Sequence, residues 1–453
     1  MRSTGYFAFT LAAALTACGG SSNGPSPSTP TAIAPLIAAQ RSAVASASGI
    51  HGNEVHYRIV QLPTLGGSEA FANWINDRGS VAGAADLAGG RHEHAFLWRW
   101  RDNRIYDLGT LGGNNSLAWP VNDRGTVAGD SVTSTNDPLR ENFCHFNVDG
   151  KSVFTKHTCS GYVLLRDVIT ALPTLGGNNS QVFGMNSSGQ IVGTAETGAH
   201  DPTCTAPQVL DFEAVVWGPR GKQIQQLPPL TGDPVGAAVA INDSGEVVGG
   251  SGICAPISPA IGAHAILWRH GKPVNLGGFG GQTGNLAWDI NGRGHIVGFS
   301  DLSGDTVTHA FLWKNGKMTD LGTLPGDVFS FAFGINERDQ IVGQSCDASF
   351  NCRAFIWQDG VMYDLNALVP RSSLSLMLAE SINKNGEITG IAYDPSTGGI
   401  PAYVAIPKGG GLDATPGSKT VLPADVRARI QQMSVRGRFG APSFSQFLKS
   451  AEH

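Results

Sequence analysis

Three histidines begin copies of one short motif and are the first residues that suggest acid–base or metal chemistry. His94 and His309 begin "HAFLW", and His264 begins "HAILW". The segment "RHEH" at residues 91–94 places two histidines and a glutamate, residue types that can bind metals, close together. Matching residues of separate repeats lie apart in a folded array, so one shared site is not expected. We interpret the three histidines as structural hydrogen-bonding residues.

One cysteine near the N terminus predicts where the protein resides. A basic start, an apolar run at residues 6–15 and the ending "LTAC" at Cys18 are typical of an export signal, and the run is too short to span a bilayer. The ending resembles a bacterial lipobox, which would make Cys18 the lipidated first residue; a chance cysteine after an ordinary signal is the alternative. Residues 1–18 are the predicted signal and 19–54 a flexible tether. The residue after Cys18 is Gly19 and not aspartate, which would retain a lipoprotein. By resemblance to the known sorting rule for lipoproteins, Gly19 predicts the outer membrane.

The other six cysteines predict disulfide bonds, because an exported chain meets an oxidising compartment. Cys144–Cys159 and Cys346–Cys352 could each form within one loop, and Cys204–Cys254 would join neighbouring repeats, although the sequence allows other pairings. No C-x-x-C occurs and no Cys/His spacing fits zinc, so no metal site is predicted.

Signatures of catalysis and cofactor binding are lacking. The "GTLGG" segments are followed by neither Lys-Ser/Thr nor a helix, so they do not form a phosphate loop. Neither G-x-S-x-G nor H-E-x-x-H occurs, and the carboxylates are scattered. A net charge of −5 without a basic stripe argues against nucleic acid. We predict no catalytic residue and no cofactor.

The strongest signal is a repeat. The block apolar-Asn-x-x-Gly-x-apolar-apolar-Gly occurs seven times, for example as "VNDRGTVAG" and "INDSGEVVG". Asn followed by Gly three residues later suits a tight turn between two strands, and Asp339 replaces this glycine in the sixth copy. The seven asparagines are Asn76, Asn122, Asn186, Asn242, Asn291, Asn336 and Asn383.

Each repeat contains four short strands: one before the Asn turn, one after it, the "HAFLW" strand and a strand that ends in "DLGTLGG" or a relative. A period of about 45 residues is typical of propeller blades. The last repeat lacks a fourth strand, whereas "YRIVQLPTLGG" from Tyr57 is a fourth strand without the first three. We predict an all-β fold over residues 55–407, a seven-bladed β-propeller of four-stranded blades that the N-terminal strand closes. An open β-solenoid is the alternative.

The ordered blocks "HAFLW", "DLGTLGG" and "IN..G.VVG" resemble the HAF-type extracellular repeat family over about residues 57–407. The second repeat departs from the pattern, because a long insertion precedes "GYVLL" in place of "HAFLW". The resemblance implies an exported repeat protein and no agreed activity.

The strand before each Asn turn is predicted to be innermost. Small residues four positions before Asn, such as Ala72 and Ala287, should fit the crowded centre. Candidates at the channel mouth are Trp119, Trp288, Asp289 and Glu380. The five third-strand tryptophans should pack blade on blade: Trp98, Trp217, Trp268, Trp313 and Trp357.

Function is predicted to lie in the loops between second and third strands, which carry nearly all the length variation and the six cysteines. We predict a monomeric, lipid-anchored binding module of the cell envelope, for a glycan, a peptide or an envelope protein. A propeller hydrolase or lyase is the alternative, and three or more clustered carboxylates or histidines at the channel mouth would favour it. Exposed loop aromatics such as Trp100 and Phe350 could form a sugar platform.

The C-terminal residues 408–453 are predicted to be a glycine-rich linker followed by a short helix and tail. Val426, Ile430 and Met433 would share one side of this helix. The segment could dock on the propeller or remain a loose terminus.

Overall fold

The repeat forms blades, as the sequence predicts. The computed structural model describes residues 56–141, 143–144, 146–148, 151–152, 156–204, 206–254, 264–369, 372–408 and 420–428. Strand β1 is Tyr57–Gln61. Blade 1 contains β2 (Gly66–Ile75), β3 (Val81–Leu87), β4 (Glu93–Arg99) and β5 (Arg104–Asp107). Blade 2 contains β6 (Gly112–Val121), β7 (Val127–Asn136), β10 (His157–Leu165) and β11 (Val168–Ala171), with a hairpin of β8 (Asn147–Val148) and β9 (Lys151–Ser152) in its insertion.

The remaining blades repeat this order. Blade 3 contains β12 (Gly176–Met185), β13 (Ile191–His200), β14 (Leu210–Trp217) and β15 (Ile224–Leu227), and blade 4 contains β16 (Val235–Ile241), β17 (Val247–Gly252), β18 (His264–Arg269) and β19 (Lys272–Asn275). Blade 5 contains β20 (Gly280–Ile290), β21 (Ile296–Leu302), β22 (Thr308–Lys314) and β23 (Lys317–Asp320), and blade 6 contains β24 (Phe329–Ile335), β25 (Ile341–Cys346), β26 (Cys352–Gln358) and β27 (Val361–Asp364). Blade 7 contains β28 (Ser375–Ile382), β29 (Ile388–Tyr393) and β30 (Ala402–Pro407).

The first strand closes the ring. Strand β1 pairs antiparallel with β30, from Tyr57 opposite Pro407 to Gln61 opposite Tyr403, and becomes the outermost strand of blade 7. The inner strand of blade 1 also contacts blade 7. The protein is a seven-bladed β-propeller, and the open solenoid is excluded because every blade has two neighbours.

The motif asparagines link one blade to the next. Each is buried, and its Oδ1 accepts the N–H four residues later, which fixes the turn. In six of the seven, Nδ2 donates to the carbonyl of the next blade's asparagine, and Asn383 donates to Asn76 across the closure. The exception is Asn122, whose Nδ2 contacts Met185 Sδ at 3.8 Å. The repeated motif asparagines thus form a belt of hydrogen bonds from blade to blade around the ring.

The last glycine of each motif is required by a close approach. A Cβ atom added at Gly83 would collide with the Phe71 carbonyl oxygen, and one at Gly298 would collide with that of Leu286. The matching glycine of every other blade meets the same contact, because the inner strand is irregular opposite it.

The turn glycine of each motif has a different role from the last glycine. It holds a positive φ, and Asp339 adopts the same conformation at φ 58°.

The small residues before each asparagine do not line the centre, so that prediction was wrong. Ala72, Ala287 and their equivalents pack in the clusters between neighbouring blades. Bulkier residues one position later fill the centre, including Trp119, Phe183 and Phe333. The reason is the irregularity in the inner strand, which turns adjacent side chains to different neighbours.

The third-strand residues are structural. Trp98, Trp217, Trp268 and Trp313 are buried and Trp357 is half-buried, all in clusters between blades. The three motif histidines each contact a carboxylate, and His94 lies 3.0 Å from Asp107. His309 lies 2.9 Å from Asp320 and His264 lies 2.8 Å from Asp233. Each of these histidines therefore has a hydrogen-bonding partner, as the structural interpretation predicts.

Candidate functional site

The long loops of blades 2, 3 and 4 form one continuous surface. We call it the loop platform: residues 137–141 and 143–144 of blade 2, residues 201–204 and 206–209 of blade 3, and residues 253–254 of blade 4. It lies at the end of the propeller opposite the Asn turns. Strands β7 and β13 are each extended to ten residues and bring two of these loops together.

Glu141 joins the blade 2 loop to blade 3. Its Oε1 accepts hydrogen bonds from the backbone N–H groups of Val209 and Leu210, both at 2.8 Å. Gln208 Nε2 donates to Glu141 at 3.3 Å and to Glu196 Oε1 at 3.0 Å. Phe143 packs edge-on against Phe212, with ring centroids 6.0 Å apart.

Glu141 and Glu196 form a buried carboxyl pair. Both side chains are fully buried, and Gln208 Nε2 donates a hydrogen bond to each of the two carboxyl groups. Burial and then the charge of Glu141 raise the pKa of Glu196 to about 8. Burial also raises the pKa of Glu141. Asn179 Nδ2 bridges Glu196 and Asp137, at 3.0 and 3.1 Å.

Disulfides hold the platform from both sides. Cys144–Cys159 ties the blade 2 insertion to β10, and Cys204–Cys254 joins blade 3 to blade 4. Cys346–Cys352 closes a loop of blade 6. The three predicted pairings are confirmed, and such bonds indicate a non-cytoplasmic protein.

Two aliphatic side chains project from the platform. Leu139 is 39% exposed and Ile253 is 63% exposed, although the segments that carry them are held by hydrogen bonds and a disulfide. Phe350, predicted to be an exposed loop aromatic, is instead buried and stacked on Phe329 at 5.2 Å. That prediction was wrong, because the short disulfide loop of blade 6 folds its aromatic side chain inward. Trp100 is exposed as predicted, on the opposite face.

The four channel-mouth candidates have structural contacts. Trp119 is buried in the centre and donates its indole N–H to Asp130 at 3.0 Å. Burial raises the pKa of Asp130 to about 8. Trp288 packs against Phe333, with centroids 4.8 Å apart.

The two acidic candidates do not come together at one open site. Asp289 accepts the Ile335 N–H at 3.0 Å, and Glu380 is buried on blade 7. One apolar cluster contains buried side chains from the inner strands of blades 2 to 7, and the partly buried Phe71 of blade 1 packs against it.

The clustered carboxylates that would favour an enzyme do occur, but inside the protein. Asp137, Glu141 and Glu196 lie between blades 2 and 3, at most 3% exposed, and not at the channel mouth. Sequence reasoning missed them because they are far apart along the chain, although Glu196 occupies the repeat position of Asp86 and Asp301.

One group in the described part of the chain could hold a metal ion by the proximity of its ligand atoms. It is Asp201, Cys204 and Cys254. Because the two cysteines form a disulfide, their sulfur atoms are not thiolate ligands. The group therefore does not form a metal centre.

The C-terminal segment docks on the propeller over its described residues. Leu422 and Val426 are buried in the central cluster, and the Leu422 N–H donates to Asn351 Oδ1 at 3.1 Å. A helix begins at residue 424. Ile430, Met433, Cys18, the signal and most of the tether lie outside the described residues. No helix in the described ranges is long and apolar enough to cross a membrane.

No known protein family and no curated protein sequence matches the chain. Solved structures similar to it include an oligogalacturonate lyase from Vibrio parahaemolyticus, at 9% identity and a TM-score of 0.45, over 79% of this chain and 98% of that one. The β-propeller domain of the Trilobed protease from Pyrococcus furiosus is 8% identical, with a TM-score of 0.45, over 78% and 99%.

A third similar structure is a puromycin-hydrolyzing peptidase from Mycobacterium tuberculosis, at 12% identity and a TM-score of 0.40, over 74% and 49%. This chain thus spans about half the length of that peptidase. These likenesses are too distant to indicate an activity. The class of protein follows from the blades themselves: a disulfide-bonded seven-bladed β-propeller.

Proposed function

We propose that this protein is a lipid-anchored scaffold of the bacterial cell envelope that binds a partner through the loop platform. The observation that supports this proposal is the joining of three neighbouring loops into one rigid surface. A rigid surface loses little conformational entropy on binding, so more of the contact energy becomes affinity. The proposal includes membership of the HAF-type extracellular repeats, whose block order the blades follow.

The partner is proposed to be a protein or peptide of the envelope. Leu139 and Ile253 are aliphatic and project from held segments, and such side chains gain free energy by burial against another apolar surface. Sugars are bound mainly by stacking on aromatic rings, and the aromatic Phe143 of the platform is buried.

The test compares matched exposed side chains on and off the platform. Ile253 and Val168 are 63% and 62% exposed, and Leu139 and Val361 are 39% and 43% exposed. Val168 and Val361 lie on outer strands of blades 2 and 6. A photo-crosslinking amino acid at residue 139 or 253 should yield a defined adduct in intact cells, and one at residue 168 or 361 should not.

Substitution then distinguishes binding from chance proximity. Leu139→Asp with Ile253→Asp should abolish the adduct formed from a neighbouring platform position, whereas Val168→Asp with Val361→Asp should leave it intact. Equal crosslinking from all four positions, or none from the platform, would contradict the proposal. A glycan array with the same variants tests a saccharide partner.

The lipid anchor has its own test. Cys18→Ser should abolish metabolic labelling with an alkyne fatty acid and release the protein from the membrane fraction, while the described propeller remains folded. Unchanged labelling would show that Cys18 is not the modified residue.

A further inference from the structure

The outer hairpin of blade 1 has a longer turn than those of blades 2, 4, 5 and 6. In blades 4 and 5 the last two strands are joined by two residues, between Arg269 and Lys272 and between Lys314 and Lys317. In blade 1 four residues separate Arg99 from Arg104, and the hairpin reads "RWRDNR". All six of these residues are exposed, on the face that carries the Asn turns.

The cations of this hairpin form no contact ion pair with a described carboxylate, although Arg99 interacts electrostatically with Asp102. Elsewhere on the same face Arg269 pairs with Glu246, Arg293 and Lys314 pair with Asp339, and Lys384 pairs with Asp77. Among the described residues, no carboxylate forms an ion pair with Arg58, Arg99, Arg101 or Arg104. The one acid of the hairpin, Asp102, accepts the Tyr106 hydroxyl at 2.7 Å. A cationic patch thus stands on a protein whose net charge is −5.

Two guanidinium groups of the patch are already oriented by aromatic rings. Arg58 lies over the Trp100 ring at 5.3 Å, and Arg99 lies over Tyr106 at 4.9 Å. Trp100 packs edge-on against the buried Trp98 and is the one tryptophan of nine that is exposed, at 44%. Planar guanidinium groups held in this way bind carboxylates through two parallel hydrogen bonds.

A groove continues the patch along the closing strand. Its volume is about 630 Å³, and it is lined by His56, Arg58 and Lys408, by the hydroxyls of Ser372 and Ser373, and by apolar side chains that include Leu374. Among the residues that the structure describes, no carboxylate lines this groove. Because Arg58 belongs to both the groove and the Trp100 stack, the two form one surface.

We propose that the Trp100 hairpin and the adjoining groove bind a carboxylate-bearing polysaccharide. A polymer of this kind presents successive anionic groups to successive arginines and apolar ring faces to Trp100 and Leu374. An anionic bilayer fits less well, because a flat surface would also approach the carboxylates of the same face, such as Glu387 beside Gly79 and Trp100. This site lies on the face opposite the loop platform. An experiment can therefore contradict the proposal for one of the two sites without contradicting the proposal for the other.

The experiment uses a pair of polymers that differ only in charge. Binding of the full-length Cys18→Ser protein to carboxymethyl dextran and to unmodified dextran of equal length is measured by calorimetry. Arg99→Glu with Arg104→Glu is compared with Lys314→Glu with Lys317→Glu, which reverses the charge of the equivalent cross-strand pair in blade 5. Trp100→Ala is a third variant, and circular dichroism checks folding.

Three results together would support the site. The protein should bind carboxymethyl dextran and not unmodified dextran, the blade 1 reversal should weaken this binding about tenfold or more, and the blade 5 reversal should weaken it less than about twofold. Trp100→Ala should weaken binding several-fold. Equal losses from the two reversals would show that only overall charge matters, and absence of wild-type binding would overturn the proposal. Binding to phosphatidylglycerol vesicles instead, lost in the blade 1 variant, would assign the surface to a membrane.

Discussion

At the scale of single residues, the belt of motif asparagines explains the repeat. Asn291 accepts the N–H groups of Arg293 and His295 and donates to the Asn336 carbonyl at 3.1 Å. All three hydrogen bonds depend on the buried side-chain amide of Asn291. An aliphatic side chain could not replace it without leaving backbone groups unpaired.

Asn291→Ala should therefore lower the free energy of unfolding by about 3 kcal/mol or more. Asn122→Ala is the matched control, since it loses the same turn contacts but only a sulfur contact to the next blade. We expect it to cost about 1 kcal/mol less, because sulfur is a weak acceptor. Urea unfolding of both variants measures the difference, and equal losses would show that the belt adds nothing beyond the turns.

At the scale of elements, the disulfides should differ in their contribution. Cys204–Cys254 joins residues 50 apart and links two blades, whereas Cys346–Cys352 joins residues 6 apart. Chain entropy predicts that replacing both cysteines by serine costs about 4 kcal/mol in the first case and about 2 kcal/mol in the second. Denaturant unfolding of the two double variants tests the order, and a reversed order would contradict this account.

The seam between blades 2 and 3 should weaken as pH rises. Burial raises the pKa of Glu196 to about 8 in the folded protein, whereas a glutamate in water has a pKa of 4.5. The folded state binds more protons between these values, so stability falls with rising pH across that window. Burial of Asp130 and Glu213, each with a pKa of about 8, acts in the same direction.

Glu196→Gln removes one titrating group from the seam. The loss of unfolding free energy between about pH 5.5 and about pH 8.5 should be smaller in this variant than in the unmodified protein. Glu337→Gln, an exposed carboxylate on the Asn-turn face, is the control and should leave the pH profile unchanged. An unaltered profile in Glu196→Gln would mean that Glu196 does not titrate across this pH window in the folded protein.

At the scale of the whole molecule, β1 holds the ring closed. The Lys408 N–H donates to the His56 carbonyl, and the Leu62 N–H donates to the Ala402 carbonyl. Alternation along the strand therefore directs the Val60 N–H towards β30 and the Ile59 N–H towards the free edge.

Val60→Pro should destabilise the protein by about 2–4 kcal/mol, because it removes a ladder hydrogen bond and distorts the pairing that closes the ring. Ile59→Pro is the matched control at the free edge and should cost much less. Thermal unfolding and limited proteolysis measure both. If the two variants were equally stable, closure by β1 would not hold the propeller together.

The architecture could be predicted from the sequence because its determinants are local and repeated. Asn122, the turn glycines and the third-strand tryptophans recur in order, and the unmatched strand at Tyr57 shows how the ring must close. The disulfide pairs followed from their position in or between adjacent loops.

The candidate sites could not be predicted in the same way. Glu141 and Glu196 lie 55 positions apart, the first in the insertion of blade 2 and the second in strand β13 of blade 3. Arg58 and Trp100 meet only because the ring closes and brings the first strand beside blade 1. The inward turn of Phe350 and the place of the motif alanines likewise depend on packing, which no local pattern specifies.

The sequence by itself thus determined the number of blades, their strand order and the closing strand, since each repeat encodes its own turns and core positions. Only the tertiary structure decided which side chains pack at the centre, which carboxylates are buried together and which arginines stack on aromatic rings. Those outcomes depend on distances between elements that are remote along the chain, and such distances exist only once the ring has closed.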